Sequence, residues 1–449
     1  MSNLKPFPVK SSPVRVAIVG SGISGLAAAH ALKDYARITL FEAGGWFGGH
    51  THTVDVTLPT SRGEATCGVD TGFLVFNDRT YPNLIKLFDE LGVATTESEM
   101  SFSVQVPACA GGRRIEWSGK SLNTVFAQRR NLLDAKFLGM LADLLRFNAL
   151  CTRIASAGAE DEFMQPLGDF LHEHRLGSAF REWYLLPMLG SIWSCPTDQM
   201  LKFPVATMVR FCYNHGLLKI AQRPQWRAVS GGARNYVDRI LAGVARKHLN
   251  TPVRHILRDV DSVSVVTDCG VEHFDELVLA THSDQALALL NDPTALEREV
   301  LGAIRFQPNH AVLHTDASVL PQRRSAWAAW NYENAADGQQ ETARVCLHYL
   351  LNKLQPLPFE QPVMVSLNPA RDIDPRHVIG AYDYDHPVLD LAAIRAQRRV
   401  PELQGYKRTW FCGAWTGYGF HEDGLKSGLE VAHGLRASQE VRAPWKQAA

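Results

Sequence analysis

An α/β fold is predicted by three features of the N-terminal region. An apolar, β-branched run leads at once into a glycine-rich turn, an Ala-rich segment follows, and a second apolar run ends in an acid. The first run is Val16-Ala17-Ile18-Val19 and the turn is Gly20-Ser21-Gly22-Ile23-Ser24-Gly25. The Ala-rich helix candidate spans Leu26 to Leu32, and the second strand is Arg37-Ile38-Thr39-Leu40-Phe41-Glu42. This order is that of a Rossmann-like βαβ unit. Gly20 permits the tight turn, Gly22 lets the backbone approach a pyrophosphate, and Gly25 lets helix and strand pack closely. Ser24 shares that first turn, and the phosphates would sit on the positive helix N-terminus. Glu42 falls about 20 residues after the first glycine, where a ribose-binding carboxylate belongs.

A chain of 449 residues is too long for one small core and predicts two domains. The dinucleotide-binding domain is expected to be discontinuous, over 13–95, 226–295 and 405–440. An interleaved α+β substrate domain takes 96–225 and 296–404, with 120–220 mainly helical. Formal net charge is zero, so no overall field favours nucleic acid. Charge is uneven locally: 113–153 holds eight Lys/Arg against three Asp/Glu, and 202–234 holds six Lys/Arg and no acid. Both stretches are candidates for peripheral contact with an anionic headgroup, or for solvated faces. Eight cysteines carry no C-x-x-C and no metal-ligand spacing, which points to reduced thiols, a cytoplasmic setting and no metal. No apolar run approaches a membrane span, and the N-terminus lacks a signal-like core.

Beyond the first unit, Gly44, Gly45, Gly48 and Gly49 fall within six residues and would bring backbone close to an extended ligand a second time. His50, Thr51 and His52 follow, then a strand with a glycine break, Gly68-Val69-Asp70-Thr71-Gly72-Phe73 onward to Phe76. Leu132, Leu133, Phe137, Leu138, Leu141, Leu144 and Leu145 recur at helical spacing and read as core, although a pocket is lined the same way. A helix is expected over 233–246 after Ser230-Gly231-Gly232, with strands over 251–256, 263–266 and 274–282. Further strands are expected at 310–314, 326–331, 343–350 and 362–366. Near the C-terminus a strand ending at Gly413 runs into a loop over 416–423, and a helix begins at Gly424.

In this order the motifs resemble the flavin-containing amine oxidase and phytoene desaturase superfamily of FAD oxidoreductases. His421-Glu422-Asp423-Gly424 and the Gly48-Gly49-His50 variant look closest to a bacterial branch linked to fatty acid modification. That branch includes flavin-dependent desaturases of methylated fatty acyl chains in furan fatty acid synthesis. The resemblance implies that the dinucleotide is FAD, held in an amine-oxidase-type Rossmann-like domain. Gly20, Gly22 and Gly25 would cradle its pyrophosphate, Glu42 its ribose, and Gly48, Gly49, His50 and Thr51 the pyrophosphate and ribityl path. Val253 would pair its backbone with adenine, and Gly72 and Phe73 would approach the isoalloxazine. Gly413 would begin the ribityl-contacting segment, and the N–H groups around Glu422 and Asp423 would face the flavin's pyrimidine edge.

Departures from the amine oxidase pattern bear on substrate. Trp46 and His50 stand where arginines usually flank the Gly-Gly pair, Trp415 stands for an acid, and His421 replaces an aromatic residue of the amine cage. These changes favour dehydrogenation of a fatty acyl or phospholipid chain over an amine. His421, with an ordinary pKa near neutrality, is the candidate for proton handling, or a residue that only hydrogen-bonds its surroundings. Glu422 and Asp423 suit a helix N-terminus. His50 and His52 are candidate phosphate partners, and Arg79 and Tyr81 belong to a substrate mouth or to a turn. An amine oxidase making imine and peroxide is the alternative, and a non-catalytic flavin-binding sensor a second.

Overall fold

The computed structural model describes residues 13–108, 113–158, 163–219, 223–334 and 345–442. A five-stranded parallel sheet runs in the spatial order Arg246–His248, Ala36–Phe41, Val14–Val19, Glu276–Leu279, Thr409–Phe411. Val14–Val19 therefore lies beside both its sequence neighbour and a strand from the far side of the chain. Strand order reverses at that point, and the crevice beyond the strands' carboxyl ends is where such sheets bind ligands.

Helix Ile23–Leu32 is buried along almost its whole length, because layers cover it on several sides. The C-terminal helix, His421–Arg442, lies against it. Small residues make that approach possible: a Cβ on Gly428 would come within 2.2 Å of Ser24 O, and one on Gly424 within 2.7 Å of Ile23 Cγ2. Helices Pro82–Leu91 and Arg234–Ala242 complete this layer. The other face is covered by the antiparallel sheet Val253–Arg258, Val263–Thr267, Gly270–Phe274 and by helices Ser283–Leu289 and Ala295–Gly302.

The second core is built on a seven-stranded sheet. Its order is Val378–Val388, Arg305–His314, Met364–Leu367, Cys346–Leu350, Trp330–Glu333, Phe102–Val106, Ile115–Ser118. Its pairings are antiparallel except that Trp330–Glu333 runs parallel to Phe102–Val106. Helices Ala135–Ala157, Leu186–Trp193 and Val205–Asn214 pack into the same core. Leu186–Trp193 is entered through a π-helical turn, Arg181–Leu185. Pro187 sits just past that turn; it lacks an N–H and would crowd a carbonyl one regular turn back, which the wider turn relieves.

Several local expectations need correction. The helix expected over 233–246 stops at Ala242 before Gly243, and Arg246–His248 leaves it to become the edge strand. The strand expected at 326–331 is Trp330–Glu333, after a 3-10 turn at Arg324–Ala326. The strand expected from 274 begins at Glu276, since Phe274 belongs to the antiparallel sheet. The last helix starts at His421 rather than Gly424, its first turn being capped by Asp423. In Ala135–Ala157 the core stripe is Phe137, Met140, Phe147 and Cys151, while Leu138 and Leu145 are exposed, as are Leu132 and Leu133 before it. Helical periodicity found the helix but not which of two apolar stripes faces inward.

All cysteines among the described residues are free thiols; Cys109 lies outside them, as do residues 343 and 344 of an expected strand. Among the described residues no helix is long and apolar enough to cross a membrane.

Candidate active site

A cavity of about 1010 Å³ opens at the carboxyl ends of the parallel strands and continues into the second core. Of the sequence-predicted residues, Gly20, Gly22, Ser24, Glu42, Gly48, Gly49, His50, Gly72, Phe73, Val253, Gly413 and His421 line it. Gly25, Thr51, Glu422 and Asp423 do not.

At the sheet end, the walls are largely backbone. Gly20 has φ +100°, and a Cβ there would sit 2.7 Å from Ala280 O on the neighbouring strand's exit. A Cβ on Gly25 would lie 2.0 Å from Gly20 O, so Gly25 serves the packing of helix on turn rather than the cavity. A Cβ on Gly22, by contrast, meets nothing within 4 Å. The second glycine loop comes to the same place: a Cβ on Gly49 would be 3.2 Å from Gly22 Cα. Glu42 is held at the strand end by Ser21, whose N–H and Oγ–H donate to its Oε2 at 3.0 and 2.5 Å, and by Gly44 N–H at 2.8 Å on Oε1. Ser21 Oγ in turn accepts from Gly48 N–H at 3.0 Å, tying the two loops together.

This end has the shape and donors for FAD. Two glycine loops leave room that side chains would fill, a helix N-terminus faces it, and a positioned carboxylate waits at ribose distance from the turn. Val253 and Thr251 line the same side of the cavity as Phe41 and Leu289. Ala280, Thr281 and His282, the end of the strand expected over 274–282, also line the cavity, as does Gln285, which the sequence did not single out. They follow the Glu276–Leu279 strand, and only the strand order shows that this exit adjoins Gly20.

Further along, Gly72 brings two chain segments into contact: a Cβ there would meet His50 O at 2.2 Å, and Phe73 N–H donates to the same oxygen at 2.8 Å. Gly413 is needed for a different reason. The Trp415 indole fills the space its Cβ would take, 2.2 Å from Nε1, while Nε1–H donates to Thr281 O at 3.0 Å.

His421 stacks on Phe73 with ring centroids 3.7 Å apart. Its Nε2 shares hydrogen bonds with Thr51 Oγ1 at 2.9 Å and Tyr236 hydroxyl at 3.2 Å. Burial pulls its pKa down to about 3. Burial thus opposes the protonated form of His421, and Thr51, which does not line the cavity, hydrogen-bonds the ring. His50 is likewise held well below its ordinary pKa by burial and then by His386, and burial brings His386 to about 4. His52 stacks on Trp46 at 3.9 Å, away from the cavity, with burial lowering it to about 4.

The Glu422 side chain serves a neighbouring helix. Its carboxylate accepts from Asn83 N–H at 2.9 Å, Asn83 Nδ2 at 2.7 Å and Leu84 N–H at 3.0 Å, capping helix Pro82–Leu91. Asp423 Oδ2 accepts from Phe420 N–H at 3.0 Å, and burial lifts its pKa to about 6. Both carboxylates are helix-end groups, which is the alternative role foreseen for them. Tyr81 lines the cavity at the start of helix Pro82–Leu91, whereas Arg79 lies over the Tyr213 ring.

Asp70 is structural as well. It accepts from Ala233 N–H at 2.9 Å, from Thr53 Oγ–H at 2.5 Å and from Gln355 Nε2 at 2.8 Å, and burial raises it to about 7. Gly232 permits this joint, since a Cβ there would lie 2.4 Å from Thr53 Cγ2.

The far end is made of side chains. Tyr184, Met188, Ile192 and Trp193 come from the π-turn and its helix, Phe211 and His215 from Val205–Asn214, and Trp117, Trp330 and Tyr349 from the seven-stranded sheet. Phe420 stacks on Phe211 at 5.1 Å and joins this end to the His421 turn. Charged groups are few. Glu99 on the wall accepts from Lys120, also on the wall, at 2.9 Å and from Lys353 outside it at 3.2 Å, and Arg223 and Asp385 complete the charges at this end. Within the stretch 202–234, Arg223 lines the cavity, Lys202 pairs with Asp198 and Arg234 with Asp55.

A buried polar group outside the cavity went unforeseen. Glu333, Cys346 and His348 converge on adjacent strands, close enough to share a cation. In the structure His348 already bonds Ser366 Oγ through Nδ1 at 2.6 Å and Glu333 through Nε2 at 3.1 Å. Its sequence signal was two residues alternating on one strand, with the acid contributed by another.

The family model of flavin containing amine oxidoreductase matches residues 23–314. No curated protein matches the sequence. Among solved structures, a candidate protoporphyrinogen oxidase from Exiguobacterium sp. 255-15 is 19% identical with a TM-score of 0.66, covering 95% of this chain and 99% of that one. Cyclohexylamine oxidase from Brevibacterium oxydans IH-35A is 17% identical with a TM-score of 0.65, covering 96% and 100%. A CLA-producing fatty acid isomerase from P. acnes is 16% identical with a TM-score of 0.63, covering 94% and 98%.

Proposed function

The chain belongs to the flavin-containing amine oxidoreductase family and is an FAD-dependent oxidoreductase, and from that premise we propose that it desaturates a methylated or unsaturated fatty acyl chain, carried on a phospholipid. When bound, FAD would supply two-electron oxidising capacity as a hydride acceptor. With the proton of the neighbouring or vinylogous carbon passing to water, the substrate would lose two hydrogens and two electrons and gain a double bond.

The observation that carries this reading is the cavity itself. It runs without a break from the glycine loops into a compartment of aromatic and aliphatic side chains. An alkyl chain gains by burial there and needs no ion pair. The acid nearest the sheet's far strand, Glu99, is already satisfied by two lysines and is not free to hold an ammonium. Arg223 on the wall is a cation that an anionic headgroup would meet. His421 acts as a positioning residue, fixing Phe73 against the reacting region. His50, His282 and His386 line the cavity with pKa values lowered by burial, so each presents an uncharged ring.

Amine oxidation is the second reading, favoured by the family and by Asp385, a carboxylate on the cavity wall. The two separate in one experiment. The FAD-loaded protein is mixed anaerobically with phospholipids bearing methylated unsaturated chains, and the oxidised-flavin band is followed. Bleaching accompanied by a new double bond in the recovered chain is the expected result. Bleaching only with an amine panel would replace the proposal by the second reading.

A further inference from the structure

We propose that the exposed leucines and cations between Leu122 and Leu145 form a docking surface for an anionic phospholipid bilayer, placed beside the mouth of the cavity. This surface stands on its own observations and does not depend on the acyl-chain reading. Leu122 is 79% exposed and Leu133 92%, and Leu132, Leu138 and Leu145 are also exposed. Leu138 and Leu145 are seven residues apart on helix Ala135–Ala157, hence on one face, and exposed Ala142 lies between them. Such an apolar stripe has no reason to face water in a monomer.

The pieces are physically continuous. Arg129 donates to Phe126 O at 3.0 Å and to Asn123 Oδ1, strapping the Leu122–Val125 helix to the Arg129–Leu133 turn. Asp134 caps the long helix directly after Leu133 by accepting from Lys136 N–H at 2.9 Å.

Charge identifies the occupant. Arg129, Arg130 and Lys136 are exposed, and among the described residues none pairs with a carboxylate. Asp134, the acid between them, is engaged by Arg113. An apolar stripe edged by uncompensated cations complements an anionic membrane surface. A second copy of the chain suits it poorly, because a two-fold interface would set these cations against each other. The location also gives the surface a use: Trp117, Gly119 and Lys120 line the cavity and lead directly into the Leu122 helix. A lipid could then pass from the bilayer into the cavity without crossing water.

The test uses the full FAD-loaded chain with vesicles of phosphatidylcholine, alone or mixed with phosphatidylglycerol. Sedimentation is expected with the mixed vesicles only and to weaken with salt. Replacing both Arg129→Gln and Arg130→Gln should weaken binding about thirtyfold, from about fivefold per lost cation. Leu133→Asp with Leu138→Asp should abolish it, while FAD stoichiometry and unfolding midpoint stay at wild-type values. Absence of binding to the mixed vesicles, or binding that neither pair of substitutions alters, would overturn the proposal. So would a solution dimer that the leucine variants dissociate, which would make a second copy the occupant.

Discussion

The two ends of the cavity solve binding in opposite ways. At the sheet end the wall is backbone, drawn close by Gly20, Gly22, Gly48 and Gly49 and supplied with N–H groups by a helix start. At the far end the wall is side-chain volume from Trp193, Phe211, Met188 and their neighbours. A backbone wall allows one residue type at each contact, whereas a side-chain wall allows many combinations of similar volume. The first end is intolerant and specific to its ligand; the second can be reshaped without disturbing the fold.

The sharpest test of that contrast lies within one turn of the chain. Gly25→Ala places a Cβ 2.0 Å from Gly20 O, a backbone atom that cannot swing aside. It is expected to lower stability by more than about 3 kcal/mol, read from the urea midpoint of the apoprotein. Gly22→Val puts its Cβ where no protein atom outside the neighbouring residues lies within 4 Å. The apoprotein should unfold at the wild-type midpoint, yet bind FAD about a hundredfold more weakly, about 2.7 kcal/mol by titration. If both variants lose stability alike, the distinction between packing glycine and ligand glycine collapses.

The same contrast decides what could be read from sequence. Gly20, Gly22, Gly25 and Glu42 were legible because one steric demand fixes each at a set spacing. The Ala280–His282 exit was not, since it reaches the site through a strand pairing about 260 residues away in sequence. Glu422 shows a subtler failure. Its acid at a helix start was legible, but the helix it caps, Pro82–Leu91, is a different one. Leu138 and Leu145 show another, because periodicity gives two apolar stripes on Ala135–Ala157 equal standing and only packing assigns the inward one.

Where the two ends meet, the rings are neutral, and this has a consequence for acid stability. Burial lowers His421 to about 3 and His386 to about 4, below the ordinary value of 6.5. Such groups contribute stability that is present above pH 6.5 and lost as pH falls towards the folded values, because the unfolded chain takes up protons first. Asp70 and Asp423 act in the opposite sense: raised to about 7 and about 6, they favour the fold at low pH and cease to do so as pH rises through those values. The histidines are more numerous, with His52 and His215 also lowered to about 4, so the apoprotein should lose stability from pH 7 to pH 5. In His421→Asn that loss should shrink by about 1–2 kcal/mol, taken as the difference between the urea midpoints at the two pH values. An unchanged slope would mean that His421 is not held neutral by its place between Phe73, Thr51 and Tyr236.

The smallest effect belongs to the far end and tests its tolerance. Ile192 is only partly buried and lines the side-chain wall, so Ile192→Val removes one methylene's worth of contact from it. The loss is about 0.8 kcal/mol if a bound chain touches that spot, about a fourfold fall in kcat/KM for that substrate. FAD content should not move, since no glycine loop is touched, and stability should fall by no more than about 1 kcal/mol, because Ile192 packs only partly buried against the second core. Across acyl chains of graded length the fall should be confined to those long enough to reach Ile192, with shorter ones unaffected. A uniform fall at every length would instead place the residue's effect on the wall's shape near the flavin, and the two ends would be less separable than their construction implies.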